Sequence, residues 1–303
     1  MIQQRVAVQV PATTANLGPG FDCLGLALDI FNRVSVELAP ALAIEVSGEG
    51  QGAIPTGEDN LVYRGVAEVF HRTGHPQPGL RLTCHNEIPL ARGLGSSAAA
   101  VAGGLVAANL LLGEPLSREE LLVLGAAIEG HPDNLAPALF GGCQVVVAEG
   151  EGFLHAPVPL PAGLMAVLFI PHVEVSTVEA RGVLPAQVPL ADAVYNLGRA
   201  ALLVAALGGG ELSLISVATG DRLHQPYRER LFPAVVPIMS AATGAGALGS
   251  FLSGAGPTVL ALCTGGEESI GNAMKLAAME AGVSGVVRLA RPVMEGAIAE
   301  VAG

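Results

Sequence analysis

The hydrophobic and polar positions along the chain change period several times, and each change predicts an element. Strands with alternating positions are predicted at residues 5–10, 24–28, 34–38, 43–47 and 80–85. We expect Pro11 to end the first of them, and the strands at 24–28 and 34–38 to pair with each other. Asp59 and Asn60 precede an amphipathic helix, which should pack on a sheet.

Residues 12–22 have a different character, because turn-forming residues follow one another too closely for regular structure. The segment is also crowded with polar side chains. Asn16 and Asp22 are therefore candidates for contact with a substrate. The alternative is that both side chains only satisfy backbone groups in turns, and the sequence leaves this open.

The chain is organised around residues 89–112, PLARGLGSSAAAVAGGLVAANLLL. Gly93 and Gly95 predict a turn, and Ser96 and Ser97 are expected to cap an Ala-rich helix. The first N–H groups of a helix lack partners, the dipole leaves about half a positive charge there, and glycine lets a ligand come close. The stretch thus predicts a phosphate-binding loop, with an ordinary capped core helix as the alternative.

Two other types of phosphate-binding loop can be tested, because each requires further sequence features besides its glycines. A Walker loop needs a lysine directly after its last glycine, and the only lysine of the chain is Lys275. Residues 93–98 fit G-x-G-x-x-A, but a dinucleotide site needs a second strand that ends in an acidic residue about 20 positions on. The sequence there predicts a loop and another helix. The Walker loop is excluded and the dinucleotide site is disfavoured.

The segment EGHPDN at residues 129–134 carries four functional side chains. A metal site built on His131 and Asp133 is disfavoured, because no second histidine lies at ligand spacing. A hard-cation site that uses Glu129 with a hydroxyl and phosphate oxygens fits the sequence better.

The remaining pattern predicts two domains. Ser117 and Glu120 form a capping box for a further helix. Gly- and Pro-rich residues 150–163 predict a connection between a first domain of residues 1–155 and a second of residues 156–303. Other expected elements are a strand at 143–148, a strand at 164–170, three or four helices across 178–243, a glycine loop at 251–257, and a β-α-β unit of residues 258–263, 267–281 and 285–289.

Composition and charge limit the class of protein. Of 303 residues, 51% are hydrophobic and 14% charged, and no apolar run reaches the roughly 20 residues of a membrane span, so we expect a soluble protein without a membrane partner. Residues 2–5 have no secretory pattern, which favours the cytoplasm. The net charge of −12 argues against nucleic acid. The widely spaced cysteines predict buried thiols: Cys23, Cys84, Cys143 and Cys263.

Several segments, in order and over nearly the whole chain, resemble the GHMP small-molecule kinases: PATTANLGPGFDCLGLAL, PLARGLGSSAAA, EGHPDNLAPALFGG and SGAGPT. VSTVEARGVLP and HQPYRERLFP are similar to the branch of that family that acts on L-homoserine. The resemblance implies an α+β protein with the GHMP kinase fold. Its N-terminal domain would be like the second domain of ribosomal protein S5, and its C-terminal domain would be ferredoxin-like.

The resemblance also implies a reaction, which is magnesium-dependent transfer of the γ-phosphoryl group of ATP to the side-chain hydroxyl of L-homoserine in threonine biosynthesis. It further suggests a homodimer. One alternative is a kinase for another alcohol, such as mevalonate or a sugar. Those alcohols lack an ammonium beside a carboxylate, so the combination of Asp22 with Arg181 and Arg228 argues against them. A non-catalytic ligand sensor is disfavoured by the intact phosphate loop.

By resemblance, the family's site residues map onto this chain. Adenine would lie at Asn60 and Val62. The phosphates would be enclosed by Pro89, Leu90, Ala91, Arg92, Gly93, Leu94, Gly95, Ser96, Ser97, Ala98 and Ala99. Magnesium would be held by Ser97 and Glu129. The amino acid would be held by Asn16, Asp22, His131, Thr177, Arg181 and Arg228.

Asn134 matches a position where related kinases carry an aspartate as a base. An asparagine can only donate and accept hydrogen bonds. Because phosphoryl transfer has a loose transition state, positioning and electrostatics do most of the work. We therefore assign Asn134 a catalytic role in orientation and charge stabilisation. Asp22 suits the ammonium of the substrate, and Arg181 and Arg228 suit its carboxylate.

Two positions depart from the family pattern. The segment 129–134 is shorter than in some members, which leaves open whether Glu129 reaches the metal. Arg92 stands where a small residue is expected. It can contact phosphate or point to solvent, and we expect it to point to solvent.

Overall fold

Two β-sheets organise residues 4–300, which are the residues described in the computed structural model. The larger sheet has seven strands: β1 (Arg5–Asn16), β2 (Gly20–Leu38), β3 (Ala43–Gly48), β4 (Leu80–Asn86), β5 (Cys143–Glu149), β6 (Gly152–Val158) and β11 (Ile298–Ala299). The smaller sheet has four: β7 (Met165–Pro171), β8 (Gly249–Leu252), β9 (Val259–Cys263) and β10 (Gly285–Ala290).

The helices fall into two groups along the chain. The first group is α1 (Leu61–Thr73), α2 (Ser96–Leu111), α3 (Arg118–Glu129) and α4 (Leu135–Phe140). The second is α5 (Thr177–Gly182), α6 (Leu190–Gly209), α7 (Ile215–Ala218), α8 (Gln225–Arg228), α9 (Val235–Gly244) and α10 (Glu267–Glu280), with a 3-10 turn at Leu212–Leu214. The α+β class expected from the sequence is confirmed.

The larger sheet is covered by α2, whose small residues allow close packing. In the order β11-β1-β2-β4-β3, the only parallel pair is β3 with β4, which α1 connects. A Cβ atom on Gly103 would press on Val10 and Val34 of the sheet, and one on Gly104 would overlap the carbonyl of Val62 in α1. Glycine at these two positions thus lets α2 lie against the sheet and α1 at once.

The smaller sheet is antiparallel in the order β10-β7-β9-β8. With the helices between its strands, this is the β-α-β-β-α-β arrangement of the predicted ferredoxin-like domain. Along β7, Val167 and Phe169 belong to the core formed with α9 and α10, whereas Leu168 and Ile170 belong to the core shared with the larger sheet. Both faces of β7 are therefore buried, which explains its unbroken hydrophobic sequence.

The predictions for the N-terminal segment are partly wrong. Pro11 does not end the first strand, because β1 continues to Asn16 with a register shift directly after Pro11. At such an irregularity a proline costs no ladder hydrogen bond. The predicted strands at 24–28 and 34–38 are two parts of the single strand β2, and each pairs with β1 rather than with the other. Most of residues 12–22 is therefore extended.

The connection predicted at residues 150–163 contains β6, which forms a hairpin with β5 in the larger sheet. The boundary at 155 and 156 thus falls within a strand, and β11 near the other end of the chain also pairs in the larger sheet. We propose that the domains divide after Val158 and that the chain rejoins the first domain through β11. The sequence also missed β8, and the second domain has more helices than predicted.

Helix α6 is, among residues 4–300, the one helix long and apolar enough to cross a membrane by length and composition. Its buried Asn196 binds other parts of the chain, donating to the carbonyl of Pro19 and to Asp221. One side of α6 therefore packs on the protein. Three of the four cysteines are buried as predicted, whereas Cys23 is partly exposed.

Candidate active site

A cavity of about 390 Å³ lies where the two domains meet. Segments far apart in the sequence line it: the end of β1, the start of β2, the start of α1, the loop before α2, the segment 131–134, α5, α8 and the glycine loop after β8. The predicted site residues that line it are Asn16, Asp22, Asn60, Val62, Pro89, Leu90, Ala91, Arg92, Gly93, Leu94, Gly95, Ser96, Ser97, His131, Asn134, Thr177, Arg181 and Arg228.

Three predicted site residues do not line this cavity. Ala98 and Ala99, in the first turn of α2, are fully buried in the hydrophobic core. Glu129 is the last residue of α3, and its carboxylate contacts Ser97, which does line the cavity.

The glycine loop leads directly into α2. Gly95 is the N-cap in a left-handed conformation with φ of 69°, and Ser96 is already helical. No side chain among the described residues caps this helix, so the predicted serine cap is wrong. The hydroxyl of Ser253 donates to the carbonyl of Gly93 at 2.6 Å and holds the loop from the other domain. The first N–H groups of α2 are thus left for a ligand.

The loop is also packed against Asn134. A Cβ atom on Gly95 would overlap the hydroxyl oxygen of Thr13 and lie 3.1 Å from Oδ1 of Asn134. That hydroxyl donates to Oδ1 of Asn134 at 2.9 Å. Nδ2 of Asn134 lies 3.4 Å from Oδ1 of Asp133 and donates there, which leaves the second N–H of the amide to donate to a ligand in the cavity.

Ser97 and Glu129 lie next to each other, with 2.8 Å between the serine Oγ and the glutamate Oε2. The shortened segment therefore still allows Glu129 to reach the start of α2. Burial raises the pKa of Glu129, and the hydrogen bond from Ser97 acts in the opposite direction.

This pair has the chemistry of a magnesium site. Among residues 4–300 there is no cluster of three or more His, Cys, Asp or Glu that could hold a metal ion. Mg²⁺ is usually bound by one or two protein oxygens together with phosphate oxygens and water. Ser97 and Glu129 would supply a hydroxyl and a carboxylate, so the residues present fit the ion.

His131 is fixed by a buried carboxylate. Its Nδ1 lies 2.9 Å from Oδ1 of Asp133, and Asp133 also accepts from the backbone N–H of Asn134. The hydrogen bond with Asp133 raises the pKa of His131. The segment thus presents an oriented imidazole and an oriented amide to the same cavity.

At the other end of the cavity, Asp22 and Arg181 form a two-pronged ion pair. Nη2 lies 2.7 Å from Oδ1, and Nη1 lies 3.0 Å from Oδ2. Asn16 supports this arrangement, since its Oδ1 accepts from the backbone N–H of Asp22 and its Nδ2 donates to the carbonyl of Gly254. The side chain of Asn16 satisfies backbone groups, as the alternative reading had it, while Asp22 is held by a side chain.

Arg228 is 3% exposed and is held on two sides. Its Nη1 donates to the carbonyl of Gly254 at 2.9 Å and lies 3.1 Å from Nδ1 of His224, and its Nε donates to the carbonyl of Ala180. Within residues 4–300, Nη2 makes no hydrogen bond. Burial and the neighbouring Arg181 lower the pKa of Arg228 to about 10. The guanidinium therefore presents one free edge to the cavity.

Helix α5 carries two of the predicted substrate residues. Ser176 and Glu179 form a capping box at its start. Thr177 and Arg181 are four residues apart and so share one face of the helix, which faces the cavity.

One end of the cavity is bounded by the start of α1. Asn60 caps this helix: its Oδ1 accepts from the N–H groups of Val62 and Tyr63, and its Nδ2 donates to the carbonyl of Pro55. Its side chain is therefore committed to the local backbone. Asn60 and Val62 shape the wall of the cavity at this end.

The expectation that Arg92 points to solvent is wrong. Only 14% of its side chain is exposed, and it lies 3.2 Å from Glu174. Its Nε and Nη2 donate to the carbonyls of Pro171 and His172, each at 2.8 Å. The planar guanidinium thus satisfies carbonyl groups at the end of β7 and ties the glycine loop to the segment that leads into α5.

Sequence reasoning missed His224 and Asp221. Asp221 accepts from the backbone N–H groups of Leu223, His224 and Gln225. The available signal was the spacing of His224 and Arg228, four residues apart within HQPYR, which places them on one side of a helical turn.

Comparison with known proteins gives the class. The chain matches the GHMP kinases N terminal domain over residues 60–142 and the GHMP kinases C terminal domain over residues 195–281. It is 47% identical to the homoserine kinase of Moorella thermoacetica, over 96% of this chain and 98% of that one. It is 44% identical to the homoserine kinase of Carboxydothermus hydrogenoformans, over 97% and 96%. The chain therefore belongs to the GHMP kinase family.

Solved structures agree with this assignment. The crystal structure of a homoserine kinase from Cytophaga hutchinsonii superimposes with a TM-score of 0.90 at 33% identity, covering 99% of this chain and 98% of that one. A mevalonate kinase from L. major has a TM-score of 0.73 at 16% identity, covering 96% and 98%, and shares the fold. The predicted GHMP kinase fold is confirmed. Within the family the chain stands among the homoserine kinases, which are phosphotransferases.

Proposed function

We propose that this protein transfers the γ-phosphoryl group of ATP to the side-chain hydroxyl of L-homoserine, giving O-phospho-L-homoserine for threonine biosynthesis. One observation carries the proposal. A single cavity joins an uncapped helix start to a site that contains Asp22, Arg181 and Arg228. The first feature suits a nucleotide phosphate and the second suits the charged groups of an α-amino acid.

ATP would occupy the part of the cavity between α1 and α2. The adenine would lie at the wall formed by Asn60 and Val62. The phosphates would receive hydrogen bonds from the N–H groups of the glycine loop and the first turn of α2, where the helix dipole favours negative charge.

Magnesium would be held by Ser97 and Glu129, which lie within hydrogen-bond distance of each other. When bound, the ion supplies positive charge next to the phosphate oxygens, where negative charge is greatest. Glu129 must be ionised to serve as a ligand, and its raised pKa therefore makes magnesium binding weaker at mildly acidic pH.

Homoserine would place its ammonium at Asp22 and its carboxylate at Arg181 and the free edge of Arg228. In the protein alone, Asp22 and Arg181 neutralise each other. A zwitterion can replace that ion pair because it brings one partner for each charge. The substrate hydroxyl would then lie towards His131 and Asn134, at the junction with the phosphates.

The residues near the hydroxyl position the reaction without a strong base. Asn134, oriented by Thr13, donates a hydrogen bond from Nδ2, and this stabilises charge on the transferred group. The loose transition state of phosphoryl transfer makes such orientation and charge stabilisation effective.

A kinase for mevalonate or a sugar is the second candidate and is less well supported. Mevalonate has a carboxylate but no ammonium, and would leave Asp22 without its partner once Arg181 turned to the ligand. An unpaired charge in a half-buried site costs binding free energy.

We also propose that the enzyme acts in the cytoplasm as a homodimer, without nucleic acid or membrane partners. The net charge of −12 disfavours polyanionic partners. Leu190, Val194 and Leu197 are 80%, 58% and 71% exposed along α6 and offer an apolar face to a second copy. Sedimentation equilibrium tests the dimer, and a mass of one chain at micromolar concentration would contradict it.

An ADP-release assay with a panel of amino acids and alcohols tests the proposed reaction. We expect L-homoserine to give the highest kcat/KM and activity to require both ATP and Mg²⁺. Higher kcat/KM for mevalonate or a hexose than for homoserine would refute the substrate assignment, and no ADP release with any of them would refute catalysis.

A further inference from the structure

The turn before α8 holds a histidine that is completely buried next to the substrate site. His224 is 0% exposed, and each of its ring nitrogens has one close partner. Nε2 lies 2.6 Å from the carbonyl oxygen of Gly18, and Nδ1 lies 3.1 Å from Nη1 of Arg228. A carbonyl can only accept and a guanidinium can only donate. The proton must therefore be on Nε2, and Nδ1 must accept from Arg228.

Burial, more than the charges around it, keeps the His224 ring neutral. Burial lowers its pKa to about 4, and Arg228 acts in the same direction, while Asp221 and Asp22 act in the opposite one. Asp221 lies 3.6 Å from Nε2 and is itself buried, but its oxygens are satisfied by backbone N–H groups and by Asn196. A second proton on Nδ1 would point at the Arg228 guanidinium.

His224 contacts both halves of the proposed amino-acid site. Gly18 belongs to the tight connection between β1 and β2 that leads to Asp22, the proposed partner of the ammonium. The ring of Phe21, the residue before Asp22, stacks on the His224 ring with 5.3 Å between centroids. The Arg228 guanidinium lies 5.4 Å from the centre of the same Phe21 ring. His224 thus lies between the residues proposed to bind the ammonium and those proposed to bind the carboxylate.

This contact helps to orient Arg228, whose Nε is held separately by the carbonyl of Ala180. Its Nη1 is shared between His224 and the carbonyl of Gly254, which leaves Nη2 for the substrate. If Nδ1 did not accept, Nη1 would keep one partner instead of two, and the planar group could turn away from the cavity.

We infer that His224 is a positioning residue for substrate recognition: as the Nε2-protonated imidazole, it holds the Arg228 guanidinium and the segment from Gly18 to Asp22 at a fixed separation. The ammonium and the carboxylate of one α-amino acid are then engaged together. The inference rests on the proposed function, because it assigns the two sides of the site to those two groups.

Two isosteric variants separate the two hydrogen bonds. In His224→Asn the amide oxygen can replace Nδ1 as acceptor for Arg228, whereas the donor to Gly18 is lost. In His224→Gln the amide nitrogen can reach the Nε2 position and donate to Gly18, whereas the acceptor for Arg228 is lost. Each variant is compared with wild type for KM and kcat with ATP, L-homoserine and 3-aminopropanol, which is homoserine without its carboxylate.

We expect His224→Gln to raise the KM for homoserine about 10-fold or more, with the KM for ATP within twofold and kcat/KM for 3-aminopropanol nearly unchanged, because hydrogen bonds to charged groups have this magnitude. We expect His224→Asn to weaken both substrates, since both carry the ammonium. Equal rises in KM for ATP and homoserine, or an unchanged KM for homoserine in both variants, would overturn the inference.

A measurement on the wild type keeps the test independent of how the variants fold. ¹⁵N NMR of the histidine rings distinguishes a protonated nitrogen from one with a lone pair. We expect His224 to be protonated on Nε2 alone at neutral pH, with and without homoserine. A cationic ring or protonation on Nδ1 would overturn the inference. The proposed function fails separately, if wild type does not phosphorylate homoserine.

Discussion

Asp22 and Arg181 come from the two domains and bind each other through two hydrogen bonds of 3.0 and 2.7 Å at the proposed substrate site. The substrate must therefore replace an ion pair that is already formed. For a zwitterion, the free energy lost by breaking this ion pair is nearly recovered, because the ligand pairs with both charges. For a molecule with one charge or none, it is not recovered, and binding is unfavourable. The ion pair therefore makes the site selective for amino acids in addition to binding them.

The first prediction concerns the ammonium. Asp22→Asn keeps the shape of the side chain but removes its charge, so preference for homoserine over 4-hydroxybutyrate, which lacks the ammonium, should fall roughly 10- to 150-fold. The ratio of kcat/KM for the two substrates measures this, and the KM for ATP serves as the internal control. An unchanged ratio would mean that the ammonium binds elsewhere.

The second prediction concerns the metal. Because Glu129 would be a direct ligand, Glu129→Gln should raise the Mg²⁺ concentration for half-maximal activity much more than the KM for homoserine. Glu45→Gln, on the exposed side of β3, is the matched control. If the magnesium titration of Glu129→Gln overlays that of wild type, Glu129 does not hold the ion.

The third prediction follows from the raised pKa of Glu129. A carboxyl group whose pKa is raised on folding favours the folded state below its unfolded pKa, and this contribution is lost as the pH rises through the folded pKa. Without magnesium, Glu129→Gln should therefore have a higher Tm than wild type at pH 8 and the same Tm below about pH 4, where the glutamate is protonated in both states. If wild type and Glu129→Gln had the same Tm at pH 8 as well as below pH 4, the pKa of Glu129 would not be raised on folding.

The fourth prediction concerns Arg92, which links the glycine loop to the segment before α5. If this link transmits order between the two sites, homoserine should raise the affinity for a non-hydrolysable ATP analogue, by about fivefold or more, and Arg92→Ala should bring that factor towards one. Glu174→Gln removes only the exposed ion pair and should keep the factor. Calorimetry measures the affinity for the ATP analogue with and without homoserine. If homoserine raised this affinity by the same factor in wild type and in Arg92→Ala, the link would be refuted.

Elements that local sequence determines were predicted well. Residues close together in the sequence are enough to predict three of them: the helix after Asn60, the capping box at Ser117 and the strand β7. The length of β2 and the continuation of β1 past Pro11 depend instead on pairing with each other. The two-residue strand β11 exists only because it meets β1, and nothing in its own sequence indicates a strand.

The site shows the same division. The glycine loop, Asn134 and the arginines could be found because each lies in a distinctive local motif. Two of the partners of Arg92 are backbone carbonyls 79 and 80 residues away, and no residue type in the sequence indicates them. His224 was missed for the same reason, since its partner Gly18 is 206 residues away. The family resemblance identified the residues proposed to bind the substrates. Only the folded structure showed which other residues position them.

The most direct test of the amino-acid site compares L-homoserine with 3-aminopropanol in wild type and Arg181→Met, using a coupled ADP assay. Arg181 would bind the carboxylate with charge-assisted hydrogen bonds, so the variant should lose roughly 10- to 150-fold in kcat/KM for homoserine. It should lose nothing with 3-aminopropanol and can gain, because Asp22 is freed from its internal partner. Equal losses for both substrates would contradict the account, because Arg181 would then serve ATP or the fold rather than the carboxylate.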